Sequence, residues 1–268
     1  VVFNGTTLEP LQKVNIPMTR ITDGATLSEV RIAAIVASQY APVWIISLKE
    51  TGYVGIVNYS LPDFSLESTI PAVPSLHDGG FDYSGSYFMV AANTANKMVI
   101  VDLKNQTLVT SFTTGIRPHP GRGANWYDRD FGWVGSTVHL GEGKVVVYGT
   151  DPVNRSDINW TIVRNIPLPF GGNSLFIKTH PNSPWVLVDM ANSPDPDLQK
   201  QICAINKTNP GTGARCFQVA TNGKAVHLEF NKAGTEVWVS DWAMNGSLIV
   251  LNATTLDVIT RITDVPTP

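Results

Sequence analysis

Histidine is scarce in this chain of 268 residues, which holds five: His77, His119, His139, His180 and His227. Three of them stand in phrases unlike ordinary strand text. His77 opens His77-Asp78-Gly79-Gly80, which reads as a tight turn ahead of a strand. His119 sits in Arg117-Pro118-His119-Pro120-Gly121-Arg122-Gly123-Ala124-Asn125, where prolines and glycines frame an imidazole beside a guanidinium. His227 lies in Ala225-Val226-His227-Leu228-Glu229-Phe230. Imidazoles in such settings ligate a metal or pass a proton to a bound anion, and Arg122 adds a permanent charge suited to carboxylates. The other reading is a set of turn histidines satisfied by hydrogen bonds. His139 and His180, in strand-edge phrases, read as structural in that sense, and Asp195-Pro196-Asp197 reads as a solvated loop.

The elements that must position these groups are strands. Nine short runs rich in Val, Ile and aromatics are bounded by Gly, Asn, Asp or Pro: 31–36, 43–48, 54–59, 87–91, 98–102, 144–149, 185–189, 236–240 and 247–252. No window keeps a clean helical period, so the chain is expected to be all-β. It also repeats itself. Phe81-Asp82-Tyr83-Ser84-Gly85-Ser86-Tyr87-Phe88-Met89-Val90 matches Phe230-Asn231-Lys232-Ala233-Gly234-Thr235-Glu236-Val237-Trp238-Val239 at an offset of 149, which also aligns Val99-Ile100-Val101 with Leu248-Ile249-Val250. Strand, Gly turn, strand, loop, strand is the outline of a four-stranded propeller blade, and the offset is about three such units. Residues 1–268 are therefore read as part of a single β-propeller domain, with about five or six blades in this chain. Blade entrances converge on a central channel, so His77, His119 and His227 are expected to face one cavity. An open arc would leave unpaired edges and an apolar flank, so a second polypeptide or a missing segment is expected to complete the propeller.

Composition narrows the function classes. Hydrophobic residues make up 43% and charged residues 15%, so the chain can build a core, while a net charge of −3 without any basic block argues against a nucleic-acid partner. No run approaches the ~20 apolar residues of a membrane-spanning helix. Cys203 and Cys216 flank a polar loop rich in turn formers, which suits a surface disulfide or, in the plainer reading, two buried thiols. Asn-x-Ser/Thr occurs eight times, at Asn4, Asn58, Asn105, Asn154, Asn159, Asn206, Asn245 and Asn252. Nineteen Asn would give roughly three by chance, although β turns favour the same residues. The excess points to an extracellular, N-glycosylated protein with the disulfide formed. A start at Val1 with no apolar leader reads as a mature or trimmed product.

At the histidine phrases the chain resembles a known family. His77-Asp78-Gly79-Gly80, Ala91-Ala92-Asn93 with Asn96-Lys97, and Pro118–Asn125 resemble the d1-haem propeller of cytochrome cd1 nitrite reductase. So do the phrases at 31–38, 49–52, 149–152, 174–181 and 229–232, in one order along nearly the whole chain. That resemblance implies an eight-bladed propeller of four-stranded blades with haem d1 in its channel. By the same likeness His77 and His119 match the two distal histidines that protonate iron-bound nitrite, and Arg122 matches a cofactor-facing arginine. Phe176 and Trp242 match aromatics lining the haem pocket, with His227 close to them. The family's proximal iron ligand would precede Val1, and no Cys-x-x-Cys-His for a c-type haem occurs here. His227 stands near where the reductases carry Gln, which is closer to relatives that bind d1 haem during its assembly.

Three readings follow. The first is a haem-dependent oxidoreductase of nitrite-reductase type acting on a small anionic substrate. The second is a haem-free propeller using His77, His119 and His227 for another metal or for acid/base catalysis. The third is a non-catalytic binding propeller, against which stand the two Pro- and Gly-framed histidines. Redox chemistry leads.

Overall fold

Runs of four to seven apolar and β-branched residues closed by Gly, Asn or Asp suit a strand buried on both faces and are too short for a stable helix. In the computed structural model, which describes residues 1–169, 171–263, 265 and 267, they pair antiparallel into five four-stranded sheets plus a two-stranded hairpin, Val2–Phe3 with Pro10–Gln12. The all-β, four-stranded-blade reading holds. Among the described residues α-helix is confined to Pro196–Gln199. Asp195 is its cap, accepting the Asp197 N–H at 2.9 Å, so the expected solvated loop is a helix start.

The chain divides into two compact units, Val1–Ser111 and Phe112–Pro268. The first holds blade one (Ile32–Ala37, Val43–Leu48, Tyr53–Asn58, Leu66–Pro71) and blade two (Leu76–Phe81, Tyr87–Ala92, Lys97–Asp102, Thr107–Thr113), except that Phe112 and Thr113 at the end of its last strand fall in the second. The second holds three blades. Blade three is Trp126–Asp128, Gly132–Thr137, Lys144–Gly149 and Ile162–Pro167. Blade four is Ile177–Thr179, Trp185–Asp189, Gln201–Asn206 and Ala214–Gln218, and blade five is Lys224–Phe230, Glu236–Trp242, Ser247–Asn252 and Val258–Ile262. The internal repeat is a repeat of register: Phe81 lies opposite Phe88, and Phe230 opposite Val237.

Side chains alternate across a strand, so the middle strands of a blade serve two neighbours. In blade four Val186, Val188, Cys203 and Ile205 pack into the core shared with blade three, whereas Leu187, Ile202 and Ala204 pack into that shared with blade five. Cys203 and Cys216 lie directly opposite each other on adjacent strands of blade four and are joined as a disulfide.

The first strands of three blades carry irregular register: Ile32/Ala34, Leu76/Gly79 and Val226/Glu229. A bulge adds a residue to one strand and turns a side chain out of the ladder. His77 and Asp78 occupy the second of these, and His227 and Leu228 the third. His77-Asp78-Gly79-Gly80 is thus part of a bulged strand, Leu76–Phe81, and not the turn ahead of it: the glycines suggest a turn, but here they permit close strand approach. A Cβ on Gly79 would stand 2.8 Å from Phe88 Cζ and 2.9 Å from the Met89 carbonyl oxygen.

Candidate functional site

The loop that carries His119 is hung on blade three. The His119 N–H donates to the Val138 carbonyl at 2.8 Å, and Pro118 bridges His139. Gly121 (φ +59°) and Gly123 (φ +74°) make the left-handed turns that bring the loop back, and a Cβ on Gly121 would meet Phe176 Cδ1 at 2.9 Å. His119 is 6% exposed, with Nδ1 2.6 Å from the Leu175 carbonyl oxygen. A carbonyl only accepts, so Nδ1 carries the proton and Nε2 is the ring atom able to take up or release one.

From His119 a row of rings crosses three blades of the second unit. His119 meets Phe176 edge-on at 5.8 Å between centroids, Phe176 meets His227 at 4.9 Å, and His227 meets Trp242 at 6.1 Å. Phe176 is half-buried just ahead of the first strand of blade four, and Trp242 closes the second strand of blade five at 36% exposure. His227 reaches Phe176 because its bulge holds it at φ +56°, a left-handed conformation that histidine tolerates better than most side chains. The Lys224 ammonium lies 6.0 Å from the Trp242 ring centroid, adding a cation at the end of the row.

The whole chain, residues 1–268, matches the family model for the cytochrome D1 heme domain. The chain belongs to that family. It is 36% identical over 98% of its length to a nitrite reductase of Stutzerimonas stutzeri, covering 50% of that protein. It is 22% identical to a dihydro-heme d1 dehydrogenase of Pseudomonas aeruginosa over 87% of its length, covering 44% of the relative. Among solved structures, the dihydro-heme d1 dehydrogenase NirN in complex with DHE superposes with a TM-score of 0.73 at 20% identity, over 91% of this chain and 49% of that one. Hydrazine synthase of Kuenenia stuttgartiensis superposes at 0.67 and 11% identity, over 87% of this chain and 66% of that one. These two share the fold. The chain spans about half the length of the curated relatives it matches.

His119, Arg122, Phe176, His227 and Trp242 lie in the second unit, where the ring row joins four of them and Arg122 is exposed on the His119 loop. His77 lies in the first unit, its Nδ1 3.3 Å from Asp78 Oδ1. His139 and His180 are structural, as expected. His139 is fully buried between the Lys144 carbonyl and the Thr114 hydroxyl, each at 3.2 Å, and desolvation holds its pKa down to about 4. His180 Nδ1 accepts the Asn182 N–H at 3.2 Å while its ring lies 5.8 Å from Phe230.

Two of the buried aspartates, Asp189 and Asp241, brace the backbone ahead of a first strand. Asp189 ends the second strand of blade four and accepts the N–H groups of Leu175, Phe176 and Ala191 at 2.8, 3.0 and 3.2 Å. Asp241, near the end of the second strand of blade five, accepts those of Thr221, Asn222 and Gly223. The signal for each was an Asp within or closing an apolar strand, in Val186-Leu187-Val188-Asp189 and Val239-Ser240-Asp241. The sequons, in turn, have local work of their own. Asn4, Asn58, Asn206 and Asn252 each accept through Oδ1 the N–H of the Ser or Thr two residues on, or, at Asn252, of Thr254 and Thr255. Part of their excess is therefore turn chemistry. Among the described residues no helix is long and apolar enough to cross a membrane.

Proposed function

We propose that this chain is the haem-d1-binding propeller domain of an oxidoreductase related to nitrite reductase, acting on a small anion such as nitrite. The observation that carries the reading is the row His119–Phe176–His227–Trp242, in which one imidazole has a fixed tautomer and the other rings are partly exposed. The donor set fits a flat, anionic macrocycle. Phe176, His227 and Trp242 offer ring faces for apolar and π contact, and Arg122 and Lys224 offer cations for peripheral carboxylates. When bound, the haem supplies the redox-active iron at which the anion is reduced. The protein's share is proton handling and orientation. His119 gives Nδ1–H to Leu175, so Nε2 is the atom that delivers a proton to a bound oxygen, and His77, next to the Asp78 carboxylate, is the second candidate donor. Removing an oxygen as water requires such donors, because an oxide is a poor leaving group.

The protein as a whole is proposed to be extracellular and N-glycosylated, a reading supported by the eight sequons and by the disulfide, a bond favoured in oxidising compartments. It is further proposed that additional blades, on a second polypeptide or elsewhere in a longer chain, complete one propeller. Support comes from an apolar face between blade one and the Val2–Phe3 hairpin strand, where Phe3, Ile32 and Ile35 are 55%, 40% and 54% exposed around a cleft also lined by Val1, Trp44 and Val57.

A visible absorption spectrum of the protein from its native source, with every polypeptide retained, tests the central reading. Soret and long-wavelength bands that disappear in His119→Ala with Phe176→Ala are the expected result. A flat spectrum above ~350 nm, with added haem d1 showing only its free-solution bands and staying separable from the protein, would remove it and leave the histidines to a colourless metal or to acid/base chemistry. Intact mass of the same native sample under denaturing conditions tests completion: a single species of this chain plus glycans, monomeric before denaturation, overturns it.

A further inference from the structure

We propose that Asp189 is a positioning residue for His119, acting through the single peptide unit that joins Leu175 to Phe176. Asp189 Oδ2 accepts the Phe176 N–H at 3.0 Å, and the Leu175 carbonyl accepts the His119 Nδ1–H at 2.6 Å. That N–H and that carbonyl belong to the same planar, trans peptide, so they point in opposite directions and turn together. Holding one end with a carboxylate aims the other end at the imidazole. The result is a carboxylate–peptide–histidine relay, in which each hydrogen bond polarises the next. It does for His119 what a carboxylate in direct contact does in a catalytic dyad: it selects the tautomer and fixes the ring plane.

The surroundings of Asp189 support a dedicated role. It is fully buried, and among the described residues no cation pairs with it. A charge in that position is tolerable only because three backbone N–H groups surround it, from Leu175, Phe176 and Ala191. The first strand of blade four is only three residues long, Ile177–Thr179, so the segment before it has no long ladder to hold it. Asp189 supplies that hold. Blade five contains the matched control. Asp241 is just as buried and collects the Thr221, Asn222 and Gly223 N–H groups ahead of the first strand there, so it braces the equivalent segment of the next blade rather than the Leu175–Phe176 peptide.

The inference deepens the reading of His119 as the proton-handling group, but its test needs neither cofactor nor substrate. The readout is the ¹⁵N spectrum of histidine-labelled full chain at pH 8, where Asp189, which burial pushes up to about 7, is predominantly ionised. In the wild type His119 should show one tautomer, protonated at Nδ1. Asp189→Asn keeps size and shape but presents an NH₂ where the Phe176 N–H needs an acceptor, or else loses the other contacts. It should cost His119 its single-tautomer signature, with Nε2–H appearing. Asp241→Asn should leave the His119 signals where they are. The proposal is overturned if Asp189→Asn leaves the tautomer intact, or if Asp241→Asn disturbs it equally. Should Asp189→Asn not fold, amide exchange in the wild type decides. The Phe176 amide, outside any strand, should be protected like those of Val186–Val188, and unprotected exchange overturns the relay. A haem-free protein that passes this test would keep the relay while losing the proposed function.

Discussion

In blade two, three residue steps from Leu76 to Gly79 span two on the neighbouring strand, and in blade five Val226 to Glu229 does the same. The shared bulge has been filled in two ways. Blade two places an imidazole and a carboxylate side by side, His77 and Asp78, and follows them with a bare backbone at Gly79. Blade five places His227 at a left-handed φ against Phe176 and follows it with Leu228, fully buried in the core shared with blade four. In the sequence alignment at the repeat's offset of 149, Asp78 corresponds to His227 and Gly79 to Leu228. The difference teaches that the bulge fixes which position turns out of the ladder, whereas the next residue decides what the strand can afford beneath it. A glycine lets two strands close up under a polar pair. A leucine anchors the strand so that a ring can lean over its neighbour.

The comparison breaks most visibly at Leu228. Leu228→Gly removes a fully buried side chain and loosens the backbone, and should cost about 4 kcal/mol in urea unfolding. A loss below about 1 kcal/mol would mean that the fifth-blade bulge collapses onto the second-blade form. The next effect comes from His139, whose two ring nitrogens are both used inside blade three. Its folded pKa, about 4, lies below the ordinary 6.5, so its stabilising effect is present above pH 6.5 and is lost as pH falls from there toward 4. The full loss is about 3 kcal/mol. Asp189 acts in the opposite sense: its folded pKa near 7 exceeds the ordinary 3.8, so protonation favours the fold as pH falls from 7 to 3.8. Wild-type stability should therefore be nearly flat from pH 6.5 to 4, and His139→Gln should make it rise as pH falls, as read by thermal unfolding across that range. A wild-type curve that drops steeply would show the two do not oppose.

Smaller effects sharpen the contrast. Gly79→Ala should cost about 2 kcal/mol, because its Cβ meets the Phe88 ring and the Met89 carbonyl and only the ring can give way. Neutrality would show that the second-blade strands can separate freely. His227→Gly should change stability by less than about 1 kcal/mol, since relief of the left-handed strain offsets the lost ring contacts. It should still alter the Trp242 contribution to fluorescence, obtained by difference against Trp242→Phe. An unchanged difference spectrum would mean that the His227–Trp242 contact is not maintained in solution.

The centres of the blades were legible in the sequence. Val43–Leu48, Lys144–Gly149, Trp185–Asp189 and Ser247–Asn252 form strands with the boundaries their apolar runs predict. The first strands were not, because a bulged strand such as Leu76–Phe81 carries His, Asp and two Gly, which local pattern assigns to a turn. Outer strands such as Val258–Ile262, exposed at every residue, lack the apolar signal for the opposite reason. At the site, the residue types in the Pro118–Asn125 loop pointed to His119, and the resemblance added Phe176, Trp242 and the neighbourhood of His227. The Asp189 brace could not be read, since nothing in a strand-closing Asp tells which backbone it will hold 13 or 14 residues upstream.

The division of blade four between two cores has a consequence for how the second unit comes apart. With Val186 and Val188 committed to one neighbour and Leu187 to the other, the middle sheet has no hydrophobic interior of its own. It cannot persist as an isolated intermediate once either flank is lost. Residues 112–268 should melt in one cooperative transition, with the disulfide inside the very sheet that joins the halves.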